Sequence, residues 1–145
     1  MSKGNTTEND FIKFVFNAVA MPSYGATLRL NFHTSDPGEA GTATTSAPTP
    51  TNYVAQTVSR DGAGFVICDS DGTPNADGSC AKTAATVTFP EIESGFAGTE
   101  TWTHGSVSVV ATGQILYSGA LTQQIIVSAL STPIFPAGTV LFREE

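Results

Sequence analysis

The sequence predicts a mainly β protein, an antiparallel β-sandwich of jelly-roll type with about eight short strands and one short N-terminal helix. Three observations lead to this prediction. Apolar and polar residues alternate within several short segments, and runs rich in Gly, Pro, Ser and Thr separate those segments. The chain is also 40% hydrophobic but only 13% charged, about half of the usual charged share. Such a composition is typical of a β-rich chain with many turns.

The N-terminal region predicts a helix that follows a flexible arm. Residues 1–10 are mostly polar, and Asn9 or Asp10 can cap a helix with a side-chain oxygen. Pro22 ends the helical pattern. We expect so short a helix to pack on a sheet as a plug, because it is marginal alone. Residues 11–145 would form a single β-sandwich domain. The apolar positions at helical spacing are Phe11, Phe14, Val15 and Ala18.

After Gly25 the apolar period changes to two, which indicates a half-buried strand. One face of this strand would carry Leu28, Leu30 and Phe32, and the other face would carry Arg29, Asn31 and His33. The segment 35–52 is rich in Gly, Pro, Ser and Thr and has almost no large apolar residue, so we expect an exposed loop.

The rest of the chain predicts further short strands. Two of them, ILYSGAL and QQIIVSAL, would be joined by a tight turn near Thr122. The remaining candidates are YVAQTV, GFVIC, TAATVTF, TETWTHGSVSVVA and a last strand in PAGTVLF.

Residues 68–80, CDSDGTPNADGSC, combine acidic residues, glycines and two cysteines. An EF-hand that starts at Asp69 would need an acidic or amide ligand, Gly and Glu where this chain has Thr73, Pro74 and Cys80. The DG and PN pairs favour a hairpin tip. An irregular oxygen site for calcium stays open as an alternative, and it would use Asp69, Asp71, Asn75 and Asp77.

Cys68 and Cys80 stand at the two ends of this loop, between strand-like segments. Antiparallel strands joined here would place the cysteines roughly opposite each other, so a disulfide can close the loop. Synthesis in a cytoplasm disfavours that bond until the protein reaches an oxidising medium. The spacing is not CxxC, so thioredoxin-type redox chemistry has little support.

The sequence gives little support for catalysis. His33 and His104 are the two histidines, and they match neither a zinc spacing nor a recognised triad motif. Glu91, Glu93 and Glu100 lack the aromatic groove of a glycosidase. We expect a non-enzymatic protein that needs no cofactor and binds no metal.

Charge and hydropathy exclude two further classes of partner. The net charge is −7, with 13 acidic and 6 basic residues, which does not suit the binding of nucleic-acid phosphates. The apolar run FIKFVFNAVAM is much shorter than a membrane span. The acidic stretch TEND before it is unlike a signal peptide, so we expect synthesis in the cytoplasm.

Several short motifs, taken in order, resemble a known family. They are ATLRLNFHTSDP, NYVAQTVSRDG, ATVTFPEI, WTHGSVSVVATGQILYSGAL and PAGTVLF. The most specific pieces are Thr34–Pro37, Val87–Pro90, Trp102–His104 and Gln114–Leu121. This series is similar to that of small bacteriophage virion proteins, described as tail-fibre-like or head-decoration proteins. The chain departs from the family pattern at GSVSVV and in the CDSDGTPNADGSC tip, which looks like an insertion.

The resemblance implies a structural protein of a phage virion, made in the host cytoplasm. We expect a capsid decoration or cement protein that binds the major capsid protein, with a tail-fibre or baseplate module bound to tail proteins as the alternative. A calcium-dependent or carbohydrate-binding adhesin outside the virion is a third possibility. Virion proteins of this kind work as symmetric multimers, and we expect a homotrimer. The interface candidates are Phe11, Phe14, Phe16 and the loop from Thr42 to Thr51.

Overall fold

A computed structural model describes residues 2–76 and 78–143 of the chain. Within these residues it contains one helix and ten strands. The elements are β1 (Ser2–Lys3), α1 (Asn5–Asn17), β2 (Thr27–His33), β3 (Gln56–Ser59), β4 (Phe65–Cys68), β5 (Cys80–Thr83), β6 (Val87–Thr88), β7 (Thr99–Val109), β8 (Ile115–Ser128), β9 (Ile134–Phe135) and β10 (Leu141–Arg143).

The predicted fold class is confirmed: the chain is mainly β, its sheets are antiparallel, and its one described helix is short and N-terminal. The largest sheet has five strands in the order β1-β8-β7-β2-β3. A three-stranded sheet has the order β10-β5-β4, and a two-stranded sheet pairs β6 with β9. The division into a flexible arm over residues 1–10 and one domain over 11–145 stays a prediction.

The core lies between one face of the five-stranded sheet and the two smaller sheets. From the large sheet, β2, β7 and β8 contribute the buried apolar residues of this core. From the small sheets, Phe142 and Val87 are buried, and Phe65 and Phe135 pack against them. The cluster includes Leu28, Leu30, Phe32, Val107, Val109 and Leu116.

Aromatic rings occupy the centre of this core. The ring of Phe32 lies 5.4 Å from that of Trp102 and 5.1 Å from that of Phe89, measured between centroids. Tyr53 packs at 5.9 Å from Phe89, and its hydroxyl oxygen accepts a hydrogen bond of 2.8 Å from the backbone N–H of Phe32. Burial raises the pKa of Tyr53 to about 12, so this phenol stays neutral at physiological pH.

The predicted turn near Thr122 is wrong, because β8 continues through it as one strand. Both halves of β8 pair with β7. Trp102 is opposite Ile125 and His104 is opposite Ala120, so four residues of β8 face a single residue of β7 and form a bulge. Thr122, Gln123 and Gln124 lie in this bulge and are exposed, and they do not end the strand.

The predicted half-burial of β2 is wrong at its C-terminal end. Asn31 and His33 are buried although they lie on the face opposite Leu30 and Phe32. The long loop over residues 34–55 folds across this second face, where the carbonyl oxygen of Thr45 lies 2.7 Å from Nδ1 of His33. The loop is therefore a partial cover of the sheet, with Pro37 and Pro50 buried, and not a fully exposed segment.

Burial of single isoleucines gives a direct test of this core. Ile92 is 1% exposed and packs in the main cluster, whereas Ile126 on β8 is 70% exposed. We expect Ile92→Ala to lower the free energy of unfolding by about 2–5 kcal/mol. The matched change Ile126→Ala should alter it by less than about 0.5 kcal/mol. Urea unfolding measures both, and equal losses would contradict the assigned core.

Candidate assembly interface

Helix α1 is anchored at its N-terminal end to the edge of the five-stranded sheet. Ser2 and Lys3 pair with Ser118 and Tyr117 of β8. Gly4 follows, and its N–H donates to the carbonyl of Leu116 at 3.2 Å. The chain then turns directly into the helix, so β8 determines where α1 begins.

Gly4 is required by close packing at this anchor. A Cβ atom built on Gly4 would lie 2.4 Å from the carbonyl oxygen of Ile115, a backbone atom that cannot move away alone. Gly4 is also the N-cap residue and provides no side-chain cap. The capping role predicted for Asn9 or Asp10 is therefore wrong, since α1 already begins at Asn5.

Polar contacts around Thr7 complete the anchor. The Thr7 hydroxyl donates to the carbonyl of Ile115 at 3.1 Å, and Thr7 is the one buried residue of α1. The side-chain amide of Gln114 donates to the Thr7 hydroxyl at 3.1 Å. The N–H of Asn5 donates to the carbonyl of Glu39 in the long loop at 2.9 Å. The first helical turn is thus held by both the sheet and the loop.

Beyond this anchor the helix is exposed. Every residue from 11 to 20 is exposed, so the predicted packing of the helix on a sheet is wrong. The exposed fractions are 53% for Phe11, 54% for Ile12, 51% for Phe14, 51% for Val15, 79% for Phe16 and 51% for Val19. Ordinary surface helices turn their apolar face to the core, whereas α1 carries its apolar residues away from it.

The predicted interface residues fall into two places. Phe11, Phe14 and Phe16 all lie on the exposed part of α1. Thr42 is exposed and forms an isolated bridge with Gln114, the residue that contacts Thr7, so it lies beside the helix anchor. Thr51 lies in neither the exposed part of α1 nor the region beside its anchor.

Thr51 instead helps to fasten the long loop to the segment between β6 and β7. Its N–H and hydroxyl donate to Glu93 at 2.8 and 3.0 Å. The Thr51 N–H is the main cause that lowers the pKa of Glu93 from its ordinary value. Glu100 accepts bonds from the N–H of Thr49 and from the indole N–H of Trp102, the latter at 2.7 Å. These glutamates hold the loop in place.

The two histidines differ in their surroundings. His33 is 0% exposed, and its Nδ1 lies 2.7 Å from the carbonyl oxygen of Thr45. Because a carbonyl only accepts, Nδ1 carries the proton, and Nε2 accepts from the Ser106 hydroxyl at 2.7 Å. Ser106 is 1% exposed, so this Ser–His pair is enclosed between the sheet and the loop. His104 lies opposite His33 on β7.

Asn31 extends the same polar cluster. Its side-chain amide donates to the hydroxyls of Ser108 at 2.9 Å and Ser106 at 3.2 Å. All of these groups are buried, and each has a partner, which avoids the cost of unpaired polar atoms. The cluster therefore stabilises the packing of the loop on the sheet. Burial lowers the pKa of His33 from its ordinary value, which keeps the ring neutral.

The loop over residues 68–80 has the contacts of a turn. Asp69 accepts from the side-chain amide of Asn75 at 3.0 Å, and Asp71 accepts from the N–H of Thr73 at 2.8 Å. The Thr73 N–H is the main cause that lowers the pKa of Asp71. Asp77 lies outside the described residues. Among the residues that are described, no group of three or more His, Cys, Asp or Glu side chains has an arrangement that suits a metal ion.

Cys68 and Cys80 are directly opposite each other in the β4–β5 pair, and the structure links them as a disulfide. Their Cα atoms are 4.9 Å apart, which is within the usual range for such bonds. Cys68 is 0% and Cys80 is 5% exposed. The bond therefore lies at the base of the loop and is buried.

The fold is that of a β-rich domain with an exposed apolar helix, a kind of surface that often marks a contact site for another molecule. The comparison with known families supports this class. A model of the family described as podophage GP4 fiber I protein gp80 matches residues 2–143. Since the match covers nearly the whole sequence, the chain belongs to this family of small, tail-fibre-like phage virion proteins.

Membership of this family indicates a structural and non-enzymatic protein that is located in the virion and associates with other virion proteins. None of the curated proteins matches the chain significantly. No helix in the described part of the chain is long and apolar enough to cross a membrane.

Sequence reasoning found the apolar face of α1 but missed the residues that anchor it. Gly4, Thr7 and Gln114 meet only in the folded chain, since Gln114 is 107 positions away from Thr7. No local motif marks them. Gly4 in a polar segment, directly before a helix, was the one available signal, because glycine is accepted at the N-cap.

The buried His33 predicts a dependence of stability on pH. In the folded chain the pKa of His33 lies below its ordinary value of 6.5, so the unfolded chain binds the proton first as the pH falls. The contribution of neutral His33 to the free energy of unfolding is fully present above pH 6.5. This contribution decreases as the pH falls through this value. We expect His33→Gln to flatten this decrease between pH 7 and about pH 5, above the titration of most carboxylates.

Thermal unfolding at several pH values measures the effect. The Ile92→Ala variant serves as control, because it is destabilised without loss of the histidine and should keep the wild-type slope. A slope that is unchanged in His33→Gln would show that another group causes the pH dependence.

The disulfide predicts a second stability effect. Its 12-residue separation corresponds in the chain-entropy model to about 3 kcal/mol. We expect the double variant Cys68→Ser, Cys80→Ser to lose about this much in urea unfolding, and the reduced wild-type chain to lose a similar amount. Mass spectrometry after alkylation in denaturant should find no free thiol in the isolated protein. Two alkylated cysteines in protein taken from virions would contradict the bond.

Proposed function

We propose that this chain is a structural subunit of a tail-associated fibre of the phage particle and that α1 is the element through which it assembles. The exposed apolar helix carries this proposal. Phe16 alone is 79% exposed, and an isolated helix of 13 residues is marginally stable in water. Burial of this surface against another chain would stabilise the helix.

The anchor of α1 supports the same role. Gly4, Thr7 and Asn5 are bound to β8 and to the long loop. The helix is therefore presented in a defined direction from the sheet edge, which suits attachment at a fixed angle. Thr42 beside this anchor extends the proposed contact surface, whereas Thr51 holds the loop and lies outside it.

The family description favours the tail fibre over the cement role that the sequence predicted. The cement role has no observation of its own in its favour, since an apolar helix serves adhesion at either place. In the fibre role the partners are tail proteins of the same virion. The net charge of −7 suits a protein contact better than a contact with packaged nucleic acid.

Immunogold electron microscopy of purified virions tests this proposal. We expect gold at the tail, at few copies per particle. Gold spread over the head would support the cement role and contradict the fibre role. An absence of label, together with absence of the protein from the mass spectrum of the particle, would contradict both. Preimmune serum on the same virions is the control.

A complementation experiment tests the role of α1. We expect a phage that carries the change Val15→Glu to lack the protein on its particles, because a charge then enters the apolar surface. The matched control Val54→Glu changes an exposed valine away from the helix, 58% exposed against 51%, and should be incorporated normally. Incorporation of both variants would contradict the assembly role of α1.

A further inference from the structure

We propose that the cleft between residues 121–125 of β8 and residues 133–143 is a binding site for a neutral saccharide. The inference goes beyond the proposed function and does not depend on it. It rests on three features of the cleft, which are its size, the polar side chains that the bulge of β8 places on one wall, and the rigid apolar surface of the opposite wall.

The cleft has the size of a ligand site. One wall is the bulged part of β8, and the other wall is the C-terminal segment that carries β9 and β10. The volume of the cleft is about 770 Å³, within the range of about 300–1,000 Å³ that is usual for small-molecule sites. The cleft therefore has room for an oligosaccharide of a few sugar units.

The bulge of β8 supplies the polar wall. The residues from Leu121 to Gln124 lie opposite the single residue Thr103 of β7. Bulges redirect side chains and are frequent next to active sites. Thr122, Gln123 and Gln124 line the cleft and are exposed. No hydrogen bond joins these three side chains to another described residue, so their polar groups are available to a ligand.

The polar groups of the cleft suit the hydroxyl groups of a sugar. The amide of a glutamine has two N–H donors and a carbonyl acceptor, and a sugar hydroxyl both donates and accepts. Thr139 on the opposite wall is exposed, and its hydroxyl donates to the carbonyl of Pro136 at 2.7 Å. This hydroxyl can therefore accept a hydrogen bond from a ligand. Both walls thus offer neutral partners to a neutral polar molecule.

The opposite wall also offers a rigid apolar surface. Phe135 lines the cleft and is half-buried. Its ring packs 4.8 Å from that of Phe32 and 5.7 Å from that of Phe89, measured between centroids, so two core rings fix its orientation. Ile134 beside it is 55% exposed. A sugar ring carries C–H groups on its face and hydroxyls at its edge, and the face packs well on apolar and aromatic groups.

The charge of the cleft favours a neutral ligand. Arg143 is the one charged side chain among the described residues that line it. An anionic polymer would meet this single cation on a chain of net charge −7. A cation would find neither Asp nor Glu in the described lining. Glycoside hydrolysis uses a pair of carboxyl groups, so the site that we propose binds a saccharide without cleaving it.

The geometry of β8 disfavours an extended peptide as the ligand. A peptide that adds to a sheet needs a regular row of backbone N–H and C=O groups at the strand edge. The bulge interrupts the regular pairing of β8 where it borders the cleft. Side chains therefore provide the polar contacts of the cleft, as they do in many sites for small polar ligands.

Titration of the purified full-length chain with neutral saccharides tests the proposal. The probes are glucose, galactose, mannose, rhamnose, N-acetylglucosamine and disaccharides of these sugars. Calorimetry and saturation-transfer NMR measure binding, and the backbone amide resonances of the protein locate it. We expect at least one disaccharide to bind and to shift the resonances of Gln123, Gln124 and Thr139.

Variants of the polar wall assign the binding to the cleft. The double variant Gln123→Ala, Gln124→Ala should weaken the binding about tenfold or more, because it loses the hydrogen bonds of two amides. The matched control Gln56→Ala changes a glutamine on β3 and should bind like the wild-type chain. Circular dichroism establishes that each variant is folded, and Thr122→Ala replaces the double variant and is judged by the same criterion if that variant does not fold.

Each other outcome overturns the proposal. Failure of every saccharide to bind contradicts it directly. Binding that survives the double variant, or that is lost in Gln56→Ala, shows that the saccharide binds elsewhere. A Gly-Thr-Val peptide that shifts the resonances of the cleft when no saccharide does would assign the cleft to a protein partner. The location in the virion is read independently by immunogold, so a chain that binds a saccharide but lies on the head would overturn the fibre role alone.

Discussion

The packing of aromatic rings between the large sheet and the two small sheets is the interaction on which the rest of the structure depends. Phe32 on β2 contacts Trp102 on β7 and Phe89 after β6, so three segments that are distant in sequence meet there. Large aromatic side chains contribute most of the apolar burial available to a small core. Because β2 and β7 are held by this cluster, β8 is held in turn through its pairing with β7.

The position of the helix follows from the position of β8. Gly4 and Thr7 bind to the backbone of Leu116 and Ile115, so α1 leaves the edge of a strand that the core has already placed. The fold therefore divides its apolar residues between two uses. Those of the strands stabilise the domain, and those of the helix remain exposed. The exposed large side chains of the helix, together with Val19 beyond its end, do not stabilise a monomer, and this observation is the basis of the proposed assembly role.

The polar face of the large sheet shows how the long loop contributes to stability. Residues such as Asn31 and His33 read as solvent-facing because they alternate with Leu30 and Phe32. The loop covers them, and their hydrogen bonds to Ser108, Ser106 and Thr45 compensate for the lost water. The loop itself is held by glutamates, since Glu93 and Glu100 accept bonds from Thr51 and Thr49. The low apolar content of the loop predicted an exposed segment and gave no sign that it covers the sheet.

The sequence by itself determined the mainly β class, the strands around Leu30 and Val107, and the helix that carries Phe11 and Phe14. It also contains the short motifs that resemble those of phage virion proteins. These are properties of local periodicity and turn chemistry, which a chain carries wherever it folds. Only the tertiary structure decided that α1 extends outward, that β8 passes through Thr122 as a bulged strand, and that His33 is enclosed. Each of these outcomes depends on contacts between residues far apart in the chain, as between Thr7 and Gln114, and local patterns contain no information about such contacts.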